Sequence, residues 1–172
     1  ENQLTSSIPS QMRSMAKLQS LLLHKNQLTG TIPIELGQLT DLEVLWGFDN
    51  LLSGTVPSEL GQLTGLTSLS FRHNQLSGSL PTTLGQLTAL TYLALRHTII
   101  SGTIPTQLGK LTALDALVLA ENHLTGPLPS ELGLLTALTF LDLSSNDLTG
   151  SLPTDLCTLA RSDVVYLQNN SR

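Results

Sequence analysis

The residues best suited to binding chemistry recur at one fixed spacing. Arg72 and Arg96 lie 24 residues apart, and each is followed directly by a histidine, His73 or His97. Arginine offers a planar fork of N–H donors that matches a carboxylate, and histidine gains charge in mildly acidic solution. In a chain of net charge −5, this pattern predicts a local basic cluster that binds an acidic group, and binds it more tightly when the histidines are protonated.

Aromatic residues lie in equivalent positions of the same pattern. An exposed Trp46 beside Phe48 is typical of a contact surface rather than of an ordinary soluble surface. We therefore expect a ligand with an apolar anchor near Trp46 and Phe48 and an acidic group near the two arginines. The candidate ligand-binding residues are Trp46, Phe48, Asp49, Arg72, His73, Tyr92, Arg96 and His97.

Two simpler interpretations of these side chains remain open. The arginines can form solvated ion pairs with Asp49 or Glu121, which contribute little free energy. Phe48 can instead turn into the core beside Gly47 through a local bulge of the strand. In either case these side chains would belong to an ordinary solvated surface or to the core, and would form no binding site.

Motifs for catalysis and metal binding are absent from the sequence. It contains no GxxxxGK[ST], no HExxH and no GxSxG. A metal site would need a cysteine or a converging carboxylate near His73 and His97, and the spacing offers none. His24 and His123 are interpreted as isolated surface histidines. We expect no enzymatic activity, no cofactor and no metal.

Charge and hydropathy exclude two classes of partner. Charged residues make up 12% of the chain and form no basic run, so no nucleic-acid footprint is present. No apolar stretch approaches the roughly 20 residues that span a bilayer, so we expect no membrane contact by this segment.

These candidate residues are positioned by a repeat of 24 residues. Asparagine and glycine recur in columns, and seven of the eight prolines share one column: Pro9, Pro33, Pro57, Pro81, Pro105, Pro129 and Pro153. The 172 residues divide into six full repeats over 15–158 and partial repeats over 1–14 and 159–172. Such a period predicts one solenoid, because a single unit cannot bury its apolar face alone.

One repeat shows how each column contributes to the fold. In Leu141-Asp142-Leu143, apolar and polar residues alternate, which predicts a short strand with the leucines inward. Asn146 follows at a bend, where a buried amide can pair with otherwise orphaned backbone groups of the adjoining turns. Gly150 permits a tight turn, and Leu156 closes the coil from a short helical turn.

The pattern LxxLxLxxNxLxGxIPxxLG, which begins at Leu66 and passes through Asn74 and Pro81, resembles the plant-type leucine-rich repeat. Receptor-like kinase ectodomains and polygalacturonase-inhibiting proteins carry this repeat. The resemblance implies an α/β solenoid, a horseshoe with a parallel concave β-sheet and short helical or 3-10 turns on the other side. It also implies that the concave face binds a protein or peptide outside the cell, in a secreted protein or in the ectodomain of a membrane-anchored receptor. An oligosaccharide ligand stays open.

The ends of the chain depart from this family. Its members usually carry cysteine pairs in caps at both ends, whereas this chain has one cysteine, Cys157. We expect the chain to be part of a longer protein, with Cys157 either in a C-terminal cap or present as a buried free thiol. The glycosylation sequon Asn169-Asn170-Ser171 points weakly to secretion.

Two departures fall inside the repeats. Thr98 replaces the column asparagine, and its hydroxyl should keep part of the backbone hydrogen bonding. Gly47 replaces an inward leucine, and the next repeat carries Phe71 in the same column. We predict that the Phe71 ring fills the space that Gly47 leaves, because cores tolerate changes that conserve volume.

Two other functions are compatible with the sequence. The edge opposite the concave face carries repeated hydroxyls beside glycine, which could form a regular array that binds ice. The chain could also be a structural spacer without a specific ligand. The hydroxyl-bearing segments are Thr29-Gly30-Thr31, Ser53-Gly54-Thr55, Ser77-Gly78-Ser79, Ser101-Gly102-Thr103 and Thr149-Gly150-Ser151.

Overall fold

The computed structural model describes residues 3–159 and 164–170, which wind into stacked coils. Strands β1, β2, β4, β6, β8, β10 and β12 form a seven-stranded parallel sheet, and β3, β5, β7, β9 and β11 form a second sheet. In chain order the strands are β1 (Ser20–Leu22), β2 (Val44–Trp46), β3 (Ser53–Thr55), β4 (Ser68–Ser70), β5 (Gln75–Ser79), β6 (Tyr92–Ala94), β7 (Ile99–Thr103), β8 (Ala116–Val118), β9 (His123–Pro127), β10 (Phe140–Asp142), β11 (Asp147–Thr149) and β12 (Val164–Tyr166).

The pairing of the larger sheet places equivalent residues of successive coils side by side. Leu45 faces Leu21 on one side and Leu69 on the other. The leucines at the centre of these strands point into the core, and their neighbours along the strand point away from it. We call the surface formed by these outward residues the concave face.

Short 3-10 helices close the coils on the opposite side. Each begins directly after a proline of the repeated column, as Pro81 does with φ −67° and ψ 134°. Neighbouring helices pack so closely that a Cβ added at Gly85 would lie 2.3 Å from the carbonyl oxygen of Gln107. The helices span Ser10–Ser14, Ile34–Gln38, Ser58–Gln62, Thr82–Gln86, Thr106–Lys110, Ser130–Leu134 and Thr154–Thr158.

The space beside Gly47 is filled as predicted. Phe71 is fully buried, and a Cβ built on Gly47 would lie 2.4 Å from Cε1 of its ring. The alternative in which Phe48 occupies this part of the core is wrong, because Phe71 already occupies it.

A ladder of buried asparagines ties successive coils together. The side-chain N–H groups of Asn122 donate to the carbonyl oxygens of Leu95 (2.8 Å) and Leu119 (3.0 Å), and its oxygen accepts from the backbone N–H of Ile100 (3.1 Å). At the departure from this column, the Thr98 hydroxyl lies 2.5 Å from the Asn122 side-chain oxygen and 3.2 Å from the Leu95 carbonyl. The threonine therefore retains part of the network, as expected.

Three serine hydroxyls of the second sheet bond within the protein. Ser53, Ser77 and Ser101 lie 3.3, 3.3 and 3.4 Å from a carbonyl oxygen of the preceding coil, to which each can donate. These three of the ten hydroxyls in the proposed array are therefore engaged with the backbone. The ice-binding alternative is unsupported.

The cysteine and the glycosylation sequon lie near the C-terminus. Cys157 is exposed, so the alternative of a buried thiol is wrong. Asn170 belongs to the asparagine ladder and donates to the carbonyl oxygens of Leu143 and Leu167. The third residue of the sequon, Ser171, lies outside the described residues.

Candidate ligand-binding site

The register of the sheet brings residues from several repeats together on the concave face. Trp46 at the end of β2 lies beside Ser70 at the end of β4. Past each strand the backbone bends sharply, and the residue at the bend adopts a left-handed conformation with φ near 55°. The side chains at this bend form the outermost column, which contains Asp49, His73, His97 and Glu121.

An aromatic cluster occupies the first half of the face. The Phe48 ring is stacked on His24, with centroids 4.5 Å apart and an interplanar angle of 16°, and lies 6.0 Å from the Trp46 ring. The Arg72 guanidinium carbon lies 4.5 Å from the Phe48 centroid, within the range of a cation–π contact. The prediction that His24 is isolated is therefore wrong.

A recess of about 440 Å³ opens beside this cluster. The Trp46 indole N–H donates to the Ser68 hydroxyl at 2.8 Å, which fixes the indole at one side of the recess. Tyr92 and Phe48 contribute further rings, and Arg72 contributes a cation. The residues that line the recess are Trp46, Phe48, Ser68, Ser70, Arg72, Thr91 and Tyr92.

The two arginines have different environments. Arg96 donates from Nε to a carboxylate oxygen of Glu121 at 3.0 Å and from its terminal nitrogen to the same oxygen. The ion-pair interpretation therefore holds for Arg96. Among the described residues Arg72 has no carboxylate partner, and its guanidinium lies over the Phe48 ring. The positive charge available to an incoming anion is thus that of Arg72.

The histidines lie between two carboxylates. Their rings are 4.9 Å apart and tilted by 30°. His73 Nδ1 lies 4.0 Å from Asp49 Oδ1, and His97 Nδ1 lies 2.7 Å from Glu121 Oε2. Hydrogen bonds from His97 and then from Arg96 hold the pKa of Glu121 below its ordinary value, although desolvation acts in the opposite direction.

Changing His97 to serine should raise the pKa of Glu121, because it removes the largest cause of the lowering. Serine already occupies this position at Ser145, with φ 54°. The lowered pKa of Glu121 adds to the free energy of unfolding of the wild type at pH values above the pKa of this carboxyl in the unfolded chain. The contribution is lost as the pH falls through its pKa in the folded chain. Carboxyl NMR titration of Glu121 measures the shift, with His123→Ser as control. An unchanged pKa in H97S would contradict the assignment.

Two family models described as leucine-rich repeat match the chain, one over residues 88–148 and the other over residues 17–39 and 65–87. The chain belongs to the leucine-rich-repeat family. No curated protein sequence matches it. The helices of this leucine-rich-repeat chain, over the residues that the structure describes, are five residues long and too short to span a bilayer. The same residues hold no cluster of three or more histidine, cysteine or acidic side chains that could bind a metal.

Solved structures of plant receptors are similar over nearly the whole chain. The leucine-rich-repeat ectodomain of the membrane receptor kinase GASSHO1/SCHENGEN3 from Arabidopsis thaliana, in complex with CASPARIAN STRIP INTEGRITY FACTOR 2, is 39% identical over 98% of this chain, with a TM-score of 0.96. The plant peptide hormone receptor RGFR1 in complex with RGF2 is 38% identical over 98%, with a TM-score of 0.97. The Arabidopsis receptor kinase HAESA, with the peptide hormone IDA and the co-receptor SERK1, is 37% identical over 99%, with a TM-score of 0.95.

These matches confirm the predicted solenoid and its resemblance to plant-type repeats. The chain spans only 20%, 27% and 28% of the three receptor chains. It therefore corresponds to a stretch of repeats within each of those larger proteins.

Proposed function

We propose that this chain binds a protein or peptide on its concave face, with the recess beside Trp46 and Phe48 as the anchor point. The observation that carries the proposal is the juxtaposition of three aromatic rings with Arg72, whose charge meets no carboxylate in the described residues. A cluster of aromatic residues and arginine is the usual composition of an interface hot spot. Two similar proteins support this class of ligand. RGFR1 is described as a plant peptide hormone receptor, and HAESA is bound to the peptide hormone IDA.

The geometry divides the recognition between two kinds of group. An apolar side chain of the ligand packs on Trp46, Phe48 and Tyr92, where it loses its water. An acidic group pairs with the Arg72 guanidinium, whose contact with Phe48 keeps its fork in place. Arg96 and His97 join only if the ligand displaces Glu121, and Asp49 and His73 form the rim of the site.

The setting of this site is part of the same proposal. The chain is one solenoid of six full and two partial repeats within a longer, extracellular protein, either secreted or the ectodomain of a membrane-anchored receptor. Its role is binding and not catalysis. A recess open to solvent on a sheet surface suits recognition better than a reaction that requires water to be excluded.

The test is a pull-down from extracellular fractions of the source organism with wild type and Trp46→Ala/Arg72→Ala, followed by mass spectrometry. We expect a captured partner whose affinity falls at least about 30-fold in the variant, since a hot-spot truncation costs about 2 kcal/mol or more. The matched control is Leu134→Ala/Lys110→Ala, which removes an exposed apolar and a basic side chain from the turn side. Equal capture by all three proteins would refute the concave site, and no capture at all would favour a structural spacer.

A further inference from the structure

Two buried side-chain polar atoms of the described residues have no hydrogen-bond partner, and both lie at the aromatic cluster. They are Oγ of Ser70, which lines the recess, and Nδ1 of His24, whose ring stacks on Phe48. Other buried amides and hydroxyls of the described residues have partners, as Asn122 has the Leu95 carbonyl and Ser144 has the Asp142 carboxylate. Because an orphaned buried polar atom costs stability, its presence in a recess indicates a place where a ligand completes the hydrogen bonding.

We propose that the recess receives a tyrosine side chain of the ligand, with its phenol oxygen hydrogen-bonded to the Ser70 hydroxyl. This deepens the proposed function and rests on it, because it names the anchoring group of the same site. The serine is 2% exposed because larger side chains cover its hydroxyl, so a phenol reaches it only where a side chain at the recess turns aside as the ligand enters.

The walls favour a planar group. Trp46, Phe48 and Tyr92 line the recess with three rings, and aromatic rings pair well in stacked or edge-to-face arrangements. In the register of the sheet, Ser70 lies between Trp46 and Ala94. Two small residues in succession, Ser70 and Ala94, thus adjoin a large one in this column.

The hydroxyl at Ser70 favours a neutral oxygen over a carboxylate. A charge buried there would need a cation, and the available cation, Arg72, is held against the Phe48 ring. A serine hydroxyl supplies one donor and accepts in return, as a phenol does. An acidic group of the ligand therefore pairs with Arg72, while the phenol enters the recess.

The probes are N-acetyl-tyrosinamide and N-acetyl-phenylalaninamide, each titrated into the whole chain. Trp46 is the sole tryptophan of the sequence, so its fluorescence reports on this site alone. We expect wild type to bind the tyrosine probe about fivefold more tightly than the phenylalanine probe, the value of one neutral hydrogen bond. In Ser70→Ala this preference should vanish, while the phenylalanine probe binds as well as to wild type or better.

Equal binding of both probes to wild type, absence of binding by either probe, or a preference that survives in S70A would each overturn the tyrosine assignment. Ser20→Ala, which removes an exposed serine from another strand of the same sheet, should leave the preference intact. The pull-down separates this inference from the proposed function. A partner that depends on Trp46 and Arg72 but contacts the recess without a tyrosine would retain the function and refute the inference.

Discussion

Phe71→Ala should lower the free energy of unfolding by about 3–5 kcal/mol, the range for loss of a buried phenylalanine. The ring is fully buried and packs beside Gly47. Because glycine has no side chain, Gly47 cannot fill the cavity that the truncation would leave. Urea denaturation followed by circular dichroism measures the change. A loss below about 1 kcal/mol would mean that the coils close over the cavity.

The stronger form of this prediction is a rescue. Gly47→Leu alone should destabilise the chain, because the new Cβ would lie 2.4 Å from the Phe71 ring. Combined with Phe71→Leu, it should restore a stability close to wild type, since Leu95 and Leu119 show that leucine fills this column in later repeats. The two sites are in contact, so a double-mutant cycle should give strong coupling. Additive effects would refute the proposed exchange of volume.

This pair shows what the sequence could predict. The period fixes which residues share a column, and a core keeps its total volume, so Phe71 could be matched to Gly47 without coordinates. The same reasoning covers the asparagine ladder and the retained hydrogen bonding of Thr98. These are consequences of stacking, in which each residue has the same neighbours one repeat before and after.

The concave face could be predicted only in part, because its side chains have rotameric freedom. The columns place Arg72 and Arg96 in equivalent positions, yet one lies on Phe48 and the other is bound by Glu121. That choice depends on which carboxylate lies within reach. The stacking of His24 depends likewise on the orientation of the Phe48 ring.

Ser70 was missed for a related reason. Its column faces outward and is 51% exposed at Leu22 in the first strand, yet Ser70, Ala94 and Asp142 are 2%, 0% and 7% exposed. A serine among larger side chains is covered by them, and no signal in its own repeat reveals this. The available signal is the size of the residues beside it, Trp46 in its own column and Tyr92 in the next one.

Asn122→Ala should lower the free energy of unfolding by about 2–3 kcal/mol, because it orphans the buried backbone N–H of Ile100, and an orphaned buried donor costs roughly 1–3 kcal/mol. The N–H of Ile100 would lose its acceptor, whereas the carbonyl of Leu119 would keep the Asn146 side chain as a donor. The carbonyl of Leu95 would keep the Thr98 hydroxyl, which lies 3.2 Å away. Urea denaturation again provides the measurement.

Asn26→Ala is the matched control for this substitution. Asn26 makes equivalent bonds, to the carbonyls of Leu23 and His24 and from the N–H of Leu4, but it lies at the half-exposed end of the ladder. Water can replace these bonds, so we expect a loss of only about 1 kcal/mol. Equal losses at both positions would mean that the cost comes from the lost bonds and not from burial of the orphaned groups. A larger loss for Asn122 would show that the ladder stabilises the solenoid chiefly where neighbouring coils keep water out.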